Sequence, residues 1–189
     1  CCEAFGLWGD SDLGTTSFFP SHTITTGEGG MIFTNNDEHA RIARKMTSHG
    51  RKGDSVLDKF HFDYIGFNGR MSNVLAAIGC GVIGEAGEVV SKRLENMNLY
   101  NELLHKNWMG RSPHGYPVMY KNSKERDEVL LRLESSGVEA RKIFSCLPVM
   151  EYKVGGNFPT AEDIGDRGLY VPIHQGLSRL DIKKIVSLL

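Results

Sequence analysis

Short strand-like segments that alternate with capped helices are the feature that most constrains the fold of this chain. β-Branched and aromatic residues predict strands at residues 13–19 and 31–34, with a glycine-rich loop between them.

Beyond Trp108, strands are predicted at residues 116–120, 138–144 and 169–173, and each is followed by a helix. Capping-box patterns at residues 160–163 and 178–181 mark the starts of the last two helices. This alternation predicts an α/β protein in which helices pack on a small sheet.

A long helix is predicted between these two regions. Ser72 can cap its start, and the helical pattern extends to about Lys106 with a bend or break near residues 84–87. Residues 76–81 are small and apolar, which lets another backbone approach closely. We therefore expect this half of the helix to be buried against a sheet or a second subunit.

Composition argues against several classes of protein. The 189 residues contain 22 Lys and Arg against 23 Asp and Glu, a balance that argues against a nucleic-acid partner. No uninterrupted run of about 18 apolar residues occurs, so no membrane span is predicted. The four cysteines have no spacing typical of a disulfide scaffold or a zinc site, which favours a cytoplasmic location. Because the chain starts with Cys1 and Cys2 rather than an initiator methionine, we expect it to be part of a longer polypeptide.

Hydroxyl side chains, one histidine and a glycine loop are concentrated between residues 17 and 30. Such a loop exposes backbone N–H groups and side-chain hydroxyls, which suits a phosphate group. The glycine spacing matches neither a dinucleotide fingerprint nor a P-loop. From the spacing alone, an ordinary glycine-rich turn with His22 as a loop histidine remains the alternative.

A second candidate site lies just before the long helix. Asn68 and Arg70 could present an amide and a guanidinium to an anionic ligand, and a helix-entry turn with a solvated arginine is the alternative. Arg141 and His174 lie in segments that could approach a substrate, although surface positions explain them as well. No metal is predicted, because the seven histidines form no i,i+4 pair and no CxxC motif occurs. No nucleophile-elbow pattern supports a catalytic triad.

The segment from Ser17 to Asn35 resembles the cofactor segment of the DegT/DnrJ/StrS group, the pyridoxal-phosphate sugar aminotransferases of the aspartate-aminotransferase fold. The resemblance continues, in order, through residues 49–51, 66–72, 100–104, 158–162 and 171–177.

The resemblance implies an α/β, PLP-dependent transferase fold of aspartate aminotransferase type I. Residues 1–86 would form the C-terminal part of its large, PLP-binding domain, and residues 87–189 its small C-terminal α/β domain. The chain would then be the C-terminal half of such an enzyme.

The resemblance also implies roles for individual residues. Ser17 would bind the phosphate of pyridoxal 5'-phosphate (PLP) or pyridoxamine 5'-phosphate (PMP), and Glu3 is assigned loosely to the surroundings of this cofactor. Asn68 would reach the cofactor phosphate of the neighbouring subunit in a homodimer with shared active sites, and Arg70 would lie near the nucleotide-sugar substrate. The family's Asp that pairs with the pyridine nitrogen would directly precede Cys1, so it is absent from this chain.

His22 stands where the family has its Schiff-base lysine, at the fifth residue after the phosphate-binding serine. An imidazole has no primary amine and cannot form a Schiff base. The same substitution is found in the family's 3-dehydratase branch, which uses PMP to remove the C3 hydroxyl of 4-keto-6-deoxy nucleotide sugars. A histidine that titrates near neutrality suits the proton transfers of such a reaction.

Three functions remain open. We favour a sugar 3-dehydratase with His22 as its catalytic base, and the alternatives are a sugar aminotransferase and a catalytically silent fragment or scaffold subunit. One subset of the dehydratases carries an iron–sulfur cluster on a cysteine-rich insertion after the glycine loop. No cysteine occurs between Gly30 and Arg70, so no iron–sulfur cluster is predicted. Phe19 stands where some dehydratases have tyrosine, which leaves the reaction itself open.

Overall fold

The computed structural model describes residues 11–53, 55–111, 113–144 and 156–189. The chain divides into two compact units, Cys1–Glu88 and Val89–Leu189. Glu3 lies outside the described residues, so its assignment to the surroundings of a cofactor stays a prediction.

A two-stranded antiparallel hairpin begins the first unit. Strand β1 (Gly14–Ser17) pairs with β2 (Gly30–Phe33) in a register that sets Ser17 opposite Gly30. Both strands were expected from their β-branched and aromatic residues. The first is shorter than predicted and half exposed rather than buried, because a hairpin of two strands cannot cover its own faces.

Helix α1 (Asp37–Thr47) follows β2. The side chain of Asn36 caps it by accepting backbone N–H groups of the first turn. Beyond the helix, His49 and Gly50 have positive φ angles of 66° and 77°. The C-cap residue is Ser48, so His49 is the left-handed residue that ends the helix, and the Gly50 N–H closes this end by donating to the Lys45 carbonyl at 2.8 Å.

The long helix is broken, as the sequence predicts. Ser72 caps α2 (Asn73–Val82). A single 3-10 turn follows at Ile83–Glu85, and α3 (Ala86–Leu104) comes directly after it in the chain. No residue of α2 is buried in the described chain, so its small, apolar half is not covered by a sheet there, and burial against a second subunit stays a prediction. What covers such a face depends on packing partners rather than on the helix itself.

By length and composition alone, the combined helix Asn73–Leu104 could cross a membrane. Only 6% of its most apolar window is buried. The finding differs from the prediction of no span because that prediction required an uninterrupted apolar run. A single helix of this kind is weak evidence for a span, since core helices of other proteins pass the same test.

The first unit exposes most of its large apolar side chains. Among its described residues, the buried hydrophobic ones are Ile24 and Ala86. Val56 and Ile65, by contrast, are 91% and 93% exposed. Burial of apolar surface is the main driving force of folding, so this unit has little core of its own in the described chain.

The second unit has a well-defined core. Its sheet has the order β3–β5–β4, with β5 (Gly168–Pro172) antiparallel to both β3 (Gly115–Met119) and β4 (Arg141–Lys142). Helices α4 (Ser123–Ser135), α5 (Pro159–Arg167) and α6 (Arg179–Leu188) complete the alternation that the sequence predicts. The fully buried side chains at its centre are Tyr100, Tyr116, Leu133, Leu169, Val171, Ile173 and Ile182.

Two local predictions in this unit need correction. Strand β4 has two residues rather than the seven predicted at residues 138–144. Helix α5 begins at Pro159, with Phe158 as its N-cap residue, instead of being capped by Thr160. Proline is favoured in the first helical turn because its fixed φ angle suits the helix, so the helix starts two residues earlier than predicted. The second capping box, between Ser178 and Asp181, is confirmed.

Candidate functional site

The loop between β1 and β2 is closed by hydrogen bonds to the end of β1. The Phe18 N–H donates to the Gly29 carbonyl at 2.9 Å, and the Thr26 N–H donates to the Phe18 carbonyl at 3.0 Å. The Thr25 hydroxyl donates to the same Phe18 carbonyl at 3.0 Å. Both ends of the loop are therefore hydrogen-bonded to Phe18. The shape of the loop depends on these contacts among its own residues.

Two glycines in this loop adopt backbone angles that favour glycine. Gly27 has a φ angle of 86° and Gly29 one of 143°. A Cβ atom on Gly29 would lie 3.0 Å from the Met71 Cε atom, whereas one on Gly27 would meet nothing within 4 Å. The loop is therefore packed at Gly29 and open at Gly27, where a ligand can approach the backbone.

Ser17 and His22 are brought together at the start of this loop. The His22 Nδ1 atom lies 3.3 Å from the Ser17 carbonyl oxygen. Since a carbonyl oxygen can only accept, Nδ1 carries the proton, and the neutral ring then has its lone pair on Nε2. The His22 N–H donates to the Phe19 carbonyl at 3.0 Å, which fixes the backbone beneath the ring. Both side chains are half-buried, so the ring is oriented and still reachable.

Asn68 and Arg70 form a second pair, on the segment that precedes α2. The Arg70 Nε donates to the Asn68 Oδ1 at 3.2 Å, and both side chains are exposed. The Gly69 N–H donates to the Thr47 carbonyl at 2.8 Å, at the end of α1. This places an amide and a guanidinium side by side on the surface, as the binding of an anion would require.

Close backbone contacts hold this segment against the end of α1. A Cβ atom on Gly50 would lie 1.9 Å from the Tyr64 carbonyl oxygen, and one on Gly66 would lie 2.3 Å from the Gly50 nitrogen. The His49 N–H donates to the Phe67 carbonyl at 2.8 Å. Two glycines therefore make room for the connection that carries Asn68, a role that the sequence pattern did not reveal.

The two pairs belong to different segments, and Met71 links these segments. Its side chain lies against Gly29, so the stretch that carries Asn68 and Arg70 contacts the glycine loop that follows His22. Sequence reasoning missed this contact because a methionine before a helix has no distinctive signal.

Arg141 and His174 lie in the second unit and are engaged there. The Arg141 Nε donates to the Glu139 carboxylate at 3.1 Å, and this hydrogen bond raises the pKa of the guanidinium. The His174 Nδ1 accepts the Gly176 N–H at 3.2 Å. These local contacts account for both side chains without a substrate.

The described ranges contain no group of three or more His, Cys, Asp or Glu side chains that could hold a metal ion. The absence of a metal and of an iron–sulfur cluster from this protein stays a prediction.

Comparison with known proteins gives a consistent result over nearly the whole chain. The model of the DegT/DnrJ/EryC1/StrS aminotransferase family matches residues 4–189. The GDP-perosamine synthase of Caulobacter vibrioides is 31% identical over 198 residues, which cover 94% of this chain and 52% of that protein. The GDP-4-keto-6-deoxy-D-mannose 3-dehydratase of Escherichia coli O55:H7 is 26% identical, with 93% of this chain and 52% of that protein covered.

The fold agrees with that of a solved relative. The E. coli GDP-4-keto-6-deoxy-D-mannose 3-dehydratase with bound hydrated PLP matches 100% of this chain and 59% of its own, with a TM-score of 0.83 at 24% identity. The predicted α/β, PLP-dependent transferase fold is confirmed as a partial one, since the chain spans about half the length of the curated relatives that it matches. The chain belongs to the DegT/DnrJ/EryC1/StrS aminotransferase family.

Proposed function

We propose that this chain is part of a PLP- or PMP-dependent enzyme that modifies nucleotide sugars, and that its reaction is the 3-dehydration of a 4-keto-6-deoxy nucleotide sugar. The observation that carries this proposal is the contact between the His22 Nδ1 and the Ser17 carbonyl, at 3.3 Å. It supports Nδ1 as a hydrogen-bond donor and leaves Nε2 as the ring nitrogen that could accept a proton. This base stands where the resemblance places a Schiff-base lysine.

The residues present fit the phosphate end of such a cofactor. The hydroxyl of Ser17 and the backbone of the glycine loop are neutral hydrogen-bonding groups, which bind phosphates in many proteins. Ser17 lies opposite Gly30 in the hairpin, and the loop is open at Gly27. We assign Ser17 to the phosphate, and Asn68 and Arg70 to anionic groups of the cofactor or substrate in a homodimer with shared active sites.

When bound, PMP would supply the amine that reacts with a sugar ketone and a ring that accepts electrons. The His22 Nε2 can accept a proton and return it to the hydroxide that leaves from C3. The Nδ1–H bond to the Ser17 carbonyl keeps the ring in place and stabilises the imidazolium that forms. Proton transfer and phosphate binding would thus be coupled through one short stretch of backbone.

A sugar aminotransferase is the second candidate. The relative named GDP-perosamine synthase is more similar to this chain than the dehydratase is, at 31% against 26% identity. Against this candidate, His22 cannot supply the primary amine of a Schiff base. The third candidate is a catalytically silent fragment or a scaffold subunit.

One assay separates the three candidates. The whole protein of which this chain would form the C-terminal half is mixed with PMP and a panel of 4-keto-6-deoxy nucleotide sugars. Loss of water at C3 supports the dehydratase, whereas glutamate-dependent amination without that loss supports the aminotransferase. A protein that does neither is silent. Borohydride treatment after addition of PLP gives a second readout, because a reducible lysine adduct would exclude the dehydratase.

The domain division is part of the same proposal. We assign residues 1–86 to the C-terminal part of a large, PLP-binding domain and residues 87–189 to a small C-terminal domain. The uncovered apolar surface of the first unit supports this assignment. A cavity of about 440 Å³ lies between the hairpin and α1, and its apolar lining includes Ile32, Ile42 and Met46. The cytoplasmic location remains a prediction.

A further inference from the structure

We propose that Thr26 is a positioning residue, which holds the glycine turn at residues 27–30 beside Ser17 through its hydroxyl and through its contact with α2. The proposal rests on the proposed function for the claim that this turn binds phosphate. The way in which Thr26 holds the turn is a property of the chain alone.

The hydroxyl of Thr26 spans the turn. Thr26 is only 2% exposed, and its Oγ1 donates to the Glu28 carbonyl at 2.7 Å. The hydrogen bond crosses Gly27, whose φ angle is 86°. The same oxygen would lie 3.1 Å from a Cβ atom on Gly29. One buried hydroxyl therefore lies beside both glycines with positive φ angles, Gly27 and Gly29. Removing a buried hydrogen-bond donor of this kind lowers the stability of the folded state.

The methyl group of Thr26 rests on helix α2. A Cβ atom on Gly79 would lie 3.0 Å from the Thr26 Cγ2, which is tighter than ordinary contact. The loop and the helix can be this close because Gly79 has no side chain. Gly81, two residues further along the same helix, would have nothing within 4 Å of its Cβ atom. Only the first of these two glycines is therefore needed for the contact.

The position of Thr26 is transmitted to Ser17. The Thr26 N–H donates to the carbonyl of Phe18, the residue next to Ser17, at 3.0 Å. Ser17 is in turn paired with Gly30, at the far end of the turn. A displacement of Thr26 would change the distance between the Ser17 hydroxyl and the backbone of the turn. Thr26 thus acts on the phosphate site through the backbone.

The hydroxyl is tested by two substitutions in the 189-residue chain without any ligand. Thr26→Val keeps the shape and removes the donor, whereas Thr26→Ser keeps the donor and removes the methyl group. The readout is the pair of φ angles of Gly27 and Gly29, measured from three-bond NMR couplings. We expect Thr26→Val to change both angles and Thr26→Ser to preserve them. Unchanged angles in a folded Thr26→Val chain overturn the proposal.

The methyl contact is tested by Gly79→Ala with Gly81→Ala as the matched control, since both gain the same helix propensity. The readout is the titration of the Gly27 and Gly29 amide signals with inorganic phosphate. We expect Gly79→Ala to weaken phosphate binding about tenfold, because small displacements at a binding site have large effects. Gly81→Ala should leave it unchanged. Thr26→Ser combined with Gly79→Ala should restore it, since the smaller side chain makes room for the new methyl group.

The outcomes separate this proposal from the proposed function. Wild-type phosphate binding that Gly79→Ala leaves intact overturns the role of Thr26 and leaves the phosphate site standing. If phosphate moves neither glycine signal in the whole protein, of which this chain would form the C-terminal half, the phosphate site of the proposed function fails. The coupling measurements then decide by themselves whether Thr26 holds the turn.

Discussion

The carbonyl oxygen of Ser17 lies 3.3 Å from the His22 Nδ1, so the residue proposed to bind phosphate also sets the tautomer of the proposed base. The two residues are neighbours across a tight turn in which the His22 N–H donates to the Phe19 carbonyl. A shift of the phosphate-binding backbone would therefore also move the imidazole. This coupling makes the roles of the two residues testable together.

Replacing His22 by asparagine should remove the base while keeping the hydrogen bond. The asparagine Nδ2 can donate to the Ser17 carbonyl in place of Nδ1, but no atom remains that can accept a proton at neutral pH. We expect the dehydration rate of the whole protein to fall by about 10²–10⁴-fold, the usual contribution of a general base.

The companion measurement is the affinity for PMP, which should be unchanged in this variant. His61→Asn, at an exposed histidine of the same unit, should keep full activity. A His22→Asn protein with more than about a tenth of the wild-type rate would show that the base lies elsewhere.

Substituting Gly50 should loosen the segment that carries Asn68. Its φ angle is 77°, and a Cβ atom would lie 1.9 Å from the Tyr64 carbonyl oxygen. We expect Gly50→Ala to lower the free energy of unfolding of the first unit by about 1–3 kcal/mol, a typical effect of a strained backbone. Urea titration followed by NMR signals of this unit measures it. Gly84→Ala, where a Cβ atom meets nothing within 4 Å, is the control and should show no such loss.

Asn96 should be a strong determinant of stability in the second unit. It is 4% exposed, and its Nδ2 donates to the carbonyls of Ile173 and His174 at 3.2 and 3.0 Å. Asn96→Leu would remove this donor from the buried Ile173 carbonyl and leave the His174 carbonyl with the Leu177 N–H alone, so we expect a loss of about 2–3 kcal/mol in the free energy of unfolding. Asn98→Leu, on the exposed side of the same helix, should change it by less than about 0.5 kcal/mol. Equal effects of the two substitutions in urea unfolding would contradict this assignment.

Tyr120 should make the second unit sensitive to alkali. Burial raises the pKa of its phenol to about 12, and its Oη is buried without a hydrogen-bond partner in the described chain. A pKa above the unfolded value of about 10 means that its contribution to stability is complete below pH 10. That contribution is lost as the pH rises from about 10 towards 12.

Tyr120→Phe should therefore reduce the alkaline loss of stability and be neutral or stabilising at pH 7. Tyr100→Phe is the matched comparison, because the Tyr100 hydroxyl donates to the Pro172 carbonyl at 3.1 Å. We expect that variant to be less stable at pH 7 by about 1 kcal/mol. Thermal unfolding across this pH range measures both. A Tyr120→Phe chain that loses stability at pH 7 would refute the assignment of an unpaired phenol.

Local signals in the sequence predicted element starts and stops well. The cap at Ser72 and the capping box between Ser178 and Asp181 occur where the sequence predicts them. Caps and left-handed stops depend on residues within one helical turn, so a local pattern contains the necessary information.

Predictions that depended on distant partners were less successful. The strand expected at residues 138–144 is reduced to Arg141–Lys142. No residue of α2 is buried within the described chain, so burial of its small, apolar half against a second subunit stays a prediction. Strand length depends on how far a neighbouring strand pairs with it, and burial depends on what packs above. Neither is encoded in the segment itself.

The sequence by itself determined the family, the alternation of strands and helices, and the spacing that singles out Ser17 and His22. Only the tertiary structure decided that the His22 Nδ1 faces the Ser17 carbonyl, that Gly79 accommodates the methyl group of Thr26, and that Gly50 lies against the Tyr64 carbonyl. The reason is that a residue pattern records which side chains are available along the chain. Contacts of 3 Å between residues far apart in sequence depend on how whole segments come together in space.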